Sequence, residues 1–252
     1  MCGIVGYTGF QDAYDVVING LRRLKYRGYD SAGIVLDSEN SEFVVAKTKG
    51  KVDDLVAISK DLSGKANVGM GHTRWATHGV PSDRNSHPHV SNNGKIALVH
   101  NGIIENYDTI KIMLTEKGFT FQSETDTEIL VNLIQYFMDS NSEIDFPAAV
   151  RFALNEVYGA YAITVMHDDF PGVLVVARLG SPLAIGLGEK EYFIASDASP
   201  FVEFTKEAVY LEEGHMATIS LEKGVDIRNI KDNEKVIPEV QELKLSLEQI
   251  EK

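Results

Sequence analysis

Apolar positions along the chain follow two rhythms, and these divide it into blocks. Gly3-Ile4-Val5-Gly6-Tyr7 is an apolar run between glycines and reads as a short buried strand. Over 11–26 the rhythm changes: Val17, Leu21 and Leu24 recur at helical spacing. Arg22, Arg23 and Lys25 point away or close the last turn, where cations suit the helix dipole. Strands are expected at 32–37 and 43–49, and a helix near 52–60. Residues 68–75 read as a strand running into a long polar loop, 77–94, without helical period. Residues 95–101 return to strand, with apolar Ile96, Leu98 and Val99.

Helices are expected near 105–117, 126–138 and 146–156. The second opens with Thr125 as N-cap and Glu128 three residues on, a capping-box pattern. From Gly159 to Ser220 the pattern is all strand: 161–166, 173–177, 183–186, 192–195, 208–211 and 215–219. Turn glycines and prolines separate these at the spacing of a sandwich. Strands, then helices, then strands again fit an α+β fold in which two antiparallel sheets pack face to face with helices outside. One domain is expected over 1–225. Residues 226–252 read as a charged linker or tail, with Val240, Leu243, Leu247 and Ile250 at heptad-like spacing, as in a docking helix of a longer protein.

Composition narrows the class. The 252 residues are 44% apolar and 24% charged, ordinary for a globular protein able to bury its own core. A net charge of −13 argues against a nucleic-acid partner and against an anionic membrane surface. The N-terminus lacks the pattern of a signal peptide, and no apolar run approaches 18 residues. A cytoplasmic protein is the expectation.

Cys2 is the one cysteine. A lone cysteine is commonly a small buried hydrophobe, but position 2 carries a second meaning. Removal of Met1 is expected before so small a residue. It puts a free α-amine, with a reference pKa of about 7.7–8.0, on the same residue as a thiol near 8.5. The amine then serves as base for the thiol, and no histidine is required. His100-Asn101-Gly102 supplies a candidate oxyanion hole, the Asn101 amide and the Gly102 N–H aiming at one oxygen; a plain Asn-Gly turn is the alternative. Arg74 suits a substrate carboxylate through its bidentate fork. Asp126 suits an ammonium group, although an acid in a helix's first turn is also favoured by the dipole. Arg27 follows a helix end. Trp75, the one tryptophan, sits at a strand exit where a lid is conceivable. His72, His78, His87, His89 and His100 raise a metal site, but their spacings match no zinc pattern, so no metal and no cofactor are expected.

Together these residues resemble a known family. Met1-Cys2-Gly3-Ile4-Val5-Gly6, Tyr26-Arg27-Gly28-Tyr29-Asp30-Ser31-Ala32-Gly33 and His72-Thr73-Arg74-Trp75-Ala76-Thr77-His78-Gly79 are similar to motifs of the class II, N-terminal-nucleophile glutamine amidotransferases. So are His87-Pro88-His89, His100 to Asn106 and Ser123 to Glu128. Their wording is closest to the glutaminase domain of the glucosamine-6-phosphate synthases, over residues 1 to about 225. The amidophosphoribosyltransferases of purine synthesis are the runner-up. A non-catalytic glutamine-binding module is the reading from another class. The resemblance implies an αββα sandwich. It also implies hydrolysis of glutamine to glutamate and ammonia through a γ-glutamyl thioester on Cys2. Arg74 and Asp126 would hold the two ends of the amino acid, and Asn101 and Gly102 the oxyanion. Trp75, Thr77 and His78 would lie on a closing loop. Arg27 would lie near the nucleophile, and His87 would help hold the site. In a whole synthase the ammonia would pass to fructose 6-phosphate on a C-terminal isomerase half, in amino-sugar (UDP-GlcNAc) biosynthesis. The expectation is that this half, and with it homo-oligomerisation, lies beyond the present tail.

Overall fold

A computed structural model describes all residues except 1, 38–42, 65, 76–78 and 245–252. In chain order the elements are β1 (Gly3–Thr8), α1 (Ala13–Arg23), β2 (Ser31–Asp37), β3 (Phe43–Lys49), α2 (Val52–Ser59), β4 (Val68–Arg74), β5 (His89–Val90) and β6 (Ile96–Ile104). Then come α3 (Tyr107–Glu116), α4 (Asp126–Ser140), α5 (Phe146–Glu156), β7 (Gly159–His167), β8 (Leu174–Leu179), β9 (Ala184–Gly188) and β10 (Glu191–Ala195). The chain continues through β11 (Glu207–Tyr210), β12 (His215–Ser220), β13 (Gly224–Asn229), β14 (Lys235–Val236) and β15 (Gln241–Glu242).

These strands form two sheets, ordered β15-β11-β9-β10-β1-β4-β2-β3 and β14-β13-β12-β8-β7-β6-β5, with antiparallel neighbours throughout. Strand alternation decides which layer each side chain enters. Ile4, Met70, Val99, Ala162 and Ile194 fill the space between the sheets. Their neighbours Val5, Leu36 and Ile34 instead pack under α1 and α2 with Val17, Leu21 and Leu55. Leu98 and Ile163 pack under α3–α5 with Leu114, Ile134 and Val150. Helix, sheet, sheet, helix is the expected αββα order. Fully burying one such aliphatic side chain contributes about 1.5–3 kcal/mol relative to leaving it exposed.

Several expectations need correction. The capping box at α4 is half formed. Thr125 Oγ1 accepts from the Glu128 N–H at 3.4 Å, but Glu128 turns back further, accepting from the N–H groups of Gln122 (2.8 Å) and Ser123 (2.6 Å). Within the polar loop expected at 77–94, Asn85, Ser86, His87 and His89 are buried, and β5 forms there and pairs with β6. The boundary expected after residue 225 falls inside β13, which pairs with β12, while β15 pairs with β11. Leu243 is buried and its N–H donates to Lys206 O at 2.7 Å. The heptad-like stripe therefore starts in extended chain, where β15 adds to the edge strand β11 and Leu243 reaches the core. Leu247 and Ile250 lie outside the described residues. No described helix is long and apolar enough to cross a membrane.

Candidate active site

The site is built where the inter-sheet face runs out of apolar residues. On β4, Met70 is core, and the same alternation carries His72 and Arg74 onto its face; on β6, Val99 is followed by Asn101. On β1, Ile4 faces that layer and Cys2 lies two residues before it. Because Gly3 pairs with Thr73, Cys2 arrives beside the end of β4.

Four groups hold the main chain and thiol of Cys2. Arg27 Nε donates to the Cys2 carbonyl at 3.1 Å, and the Asn101 amide donates to the same oxygen at 3.1 Å. The Trp75 N–H donates to Sγ at 3.2 Å, and the thiol faces Trp75 O at 3.5 Å. The second Asn101 N–H goes to Ser196 Oγ (2.9 Å), which also accepts from the Ile4 N–H (2.8 Å). Arg27 is fixed in turn by an ion pair with Asp197 at 3.2 Å, and Tyr26 also bonds that carboxylate. Ser199 N–H and Oγ occupy the other Asp197 oxygen at 2.9 and 2.6 Å. Burial pushes the Cys2 thiol pKa up, against the Trp75 N–H and the Arg74 charge. The resting group is thus a protonated thiol that needs a base.

The second half of the site faces a cavity of about 20 Å³, lined by Cys2, Arg74, Trp75, His87, Gly102 and Asp126 among others. That is room for a single water. Arg74 is 4% exposed and donates to Gly79 O at 3.2 Å. Burial lowers its pKa while Asp30, Cys2 and Asp126 oppose the fall. Asp126, buried at the first position of α4, accepts from the Ile104 N–H at 2.7 Å. His87 Nε2 and His100 Nδ1 meet Thr127 Oγ1 at 2.8 and 3.1 Å, and His89 Nε2 meets Thr125 Oγ1 at 2.9 Å. Lys47 Nζ donates to the carbonyls of Ser86 and Pro88 (3.0 and 3.2 Å), pinning the segment that carries His87. No cluster of metal-binding side chains occurs among the described residues.

The predicted residues Cys2, Arg27, Arg74, Trp75, His87, Asn101, Gly102 and Asp126 therefore meet at one place. Thr77 and His78 lie outside the described residues. Asn101-Gly102 is no turn: it sits inside β6, opposite Ala162 and Tyr161. Gly102 has φ +138°, and a Cβ there would stand 1.9 Å from Ala160 O, so only glycine fits. Asn101, expected to aim at an oxyanion, has both amide hydrogens on Cys2 O and Ser196 Oγ. Ser196 and Asp197 escaped the sequence reading, and Thr127, though inside the Ser123 to Glu128 motif, had no role assigned to it. The polar Ser196-Asp197 pair closing the apolar strand β10 was the available signal.

A family model described as "Glutamine amidotransferase domain" matches residues 57–246. Glutamine–fructose-6-phosphate aminotransferase [isomerizing] of Bacteroides thetaiotaomicron is 51% identical over 254 residues, which take in all of this chain and 41% of that protein. The protein of the same name from Pyrococcus horikoshii is 44% identical over 252 residues, 42% of its length. The chain thus spans about two-fifths of the curated relatives it matches. Among solved structures, the glutamine phosphoribosylpyrophosphate amidotransferase of B. subtilis superposes with a TM-score of 0.77 at 29% identity, over 92% of this chain and 50% of that one.

Proposed function

The chain belongs to the glutamine amidotransferase domain family, and on that premise we propose that it hydrolyses glutamine to glutamate and ammonia with Cys2 as nucleophile. The observation that carries this reading is the convergence of the Cys2 thiol, the Arg74 guanidinium and the Asp126 carboxylate on one small cavity. An amino acid has one carboxylate and one ammonium, and two opposite buried charges suit them. Its side-chain amide then reaches the thiol.

The buried thiol is neutral at rest, so deprotonation comes first. Loss of Met1 makes the α-amine of Cys2 available to take the thiol proton, directly or through a water. The thiolate attacks the side-chain carbonyl carbon. The Gly102 N–H and the Asn101 amide, giving up one of its present bonds, take the developing oxyanion. The protonated amine donates to the departing nitrogen, ammonia leaves, and a γ-glutamyl thioester remains. Water, deprotonated by the same amine, then releases glutamate and restores the thiol. Arg27 keeps the Cys2 carbonyl in place throughout, and His87 walls the pocket through Thr127. Thr77 and His78 belong to the segment after Trp75 that the same reading assigns to closure over glutamine.

In a longer protein of the kind named among the relatives, the ammonia would convert fructose 6-phosphate to glucosamine 6-phosphate. The amidophosphoribosyltransferase reading has a structural likeness at 29% identity behind it, against full-chain likenesses at 44–51% for the aminosugar enzymes. Ammonia release from glutamine by the purified chain, abolished in Cys2→Ala, is the direct test. Turnover that survives the substitution removes Cys2 from the reaction.

A further inference from the structure

His72 is 1% exposed and has no part in the steps above, yet it touches the hub of the site. Asn101 Nδ2 lies 3.1 Å from the Cys2 carbonyl, which accepts only, so the amide nitrogen faces Cys2 and Oδ1 faces away. Oδ1 lies 2.9 Å from His72 Nε2, and the His100 carbonyl lies 3.0 Å from the same nitrogen. Two acceptors facing one ring nitrogen require that it carry the hydrogen. Nδ1 is then the bare nitrogen; it has no hydrogen-bond partner, and the ring packs on His87 with centroids 4.2 Å apart.

We propose that His72 is the positioning residue of this site. Its Nε2–H fixes the orientation of the Asn101 amide, and through it both the Cys2 carbonyl and the side-chain donor offered to the reacting oxygen. This rests on the glutaminase reading. A flipped Asn101 amide would present Oδ1 to the Cys2 carbonyl and to the oxyanion, repelling both, so holding one of two nearly isosteric orientations is a catalytic requirement rather than a packing preference. Burial drives the His72 pKa down to about 3, against its bonds to Asn101 and to the His100 carbonyl, while the His100 ring and Arg74 add to the fall. With the His87 ring on its face, the imidazole stays neutral and the donor constant through the neutral range.

The test uses the full chain in two arms. In kinetics, His72→Leu is expected to lower kcat for glutamine about 100-fold, the scale of one lost oxyanion donor, with KM within about threefold of wild type. His72→Gln, whose amide N–H reaches the same place, is expected within about tenfold of wild type. Equal losses in the two variants, or a His72→Leu enzyme of near wild-type kcat, would overturn the proposal, because packing alone would not rank glutamine above leucine. The second arm needs no variant: ¹⁵N spectra of ring-labelled histidine in the wild-type chain should show His72 as the neutral Nε2–H tautomer from pH 8 to pH 5. An Nδ1–H tautomer, or a charged ring in that range, overturns it even if the variants do not fold. A wild-type chain that releases no ammonia breaks the glutaminase reading instead, and the spectra still decide the tautomer.

Discussion

The two halves of the site are built on opposite principles. Around the Cys2 main chain, polar groups are matched to one another: Arg27 and Asn101 share one carbonyl, Ser196 joins Asn101 to β1, and Asp197 anchors Arg27. Across the cavity, Arg74 and Asp126 are buried facing a space of about 20 Å³, with Arg74 bearing the cost of burial. On the proposed glutaminase reading, the first arrangement holds the nucleophile still. The second keeps charges ready for charges that arrive with a ligand. A clamp and a receptor should therefore fail differently when cut, the clamp in kcat and the receptor in KM.

The largest effect that sharpens this contrast is Asn101→Ala. It removes a clamp member and, on the proposed mechanism, an oxyanion donor together, and kcat is expected to fall about 10²–10³-fold with KM little changed. A rise in KM instead would move Asn101 to the receptor half. Next, Arg74→Lys loses the bidentate fork, and KM for glutamine is expected to rise about 10–100-fold at nearly constant kcat. An unchanged KM would take Arg74 out of carboxylate binding. Arg27→Lys is milder, because a lysine still reaches a carbonyl or Asp197 but not both in one plane. A drop of about tenfold in kcat is expected, and a KM effect would blur the boundary between the halves.

The smallest effect concerns stability. His72, His87, His89 and His100 have pKa values lowered first of all by burial. Their folded-state values lie below the unfolded reference near 6.5, so the unfolded chain takes up protons first as pH falls. Their contribution to stability is complete above about pH 6.5 and is lost progressively below it, toward about pH 3 for His72. For His72, with its folded value near 3, the loss should be about 1 kcal/mol by pH 5.5. Urea midpoints at pH 7.5 and 5.5 measure the loss, and His89→Gln should reduce its slope. A midpoint independent of pH in that range would mean that these rings are hydrated.

Much of the receptor and part of the clamp were legible in the sequence. Alternation marks β1, β4 and β6 as strands, and the same alternation puts Cys2 in line with Ile4, Arg74 with Met70, and Asn101 with Val99. What is not legible is register across long stretches of chain. Ser196 reaches the site only because β10 pairs with β1, with Val5 opposite Ala195, and nothing local to Ser196 announces that. The segment around His87 read only as a polar loop because its polar side chains satisfy one another and the helix α4, a burial invisible to hydropathy. Strands of two residues such as β5 and β15 carry too few positions to show any period. The alternative of a plain Asn-Gly turn could be set aside only once the partner strand was known, since Gly102 serves a close approach of Ala160 rather than a reversal.

The proposed mechanism makes Cys2 both nucleophile and base, and intact mass spectrometry addresses that claim most directly. The active chain should be measured before and after treatment with a glutamine-like diazo-ketone. The expected result is a polypeptide lacking Met1 that gains a single adduct on Cys2, with ammonia release falling in step with labelling. An active preparation that retains Met1, or an adduct on any other residue, would contradict the shared roles of that thiol and its own amine.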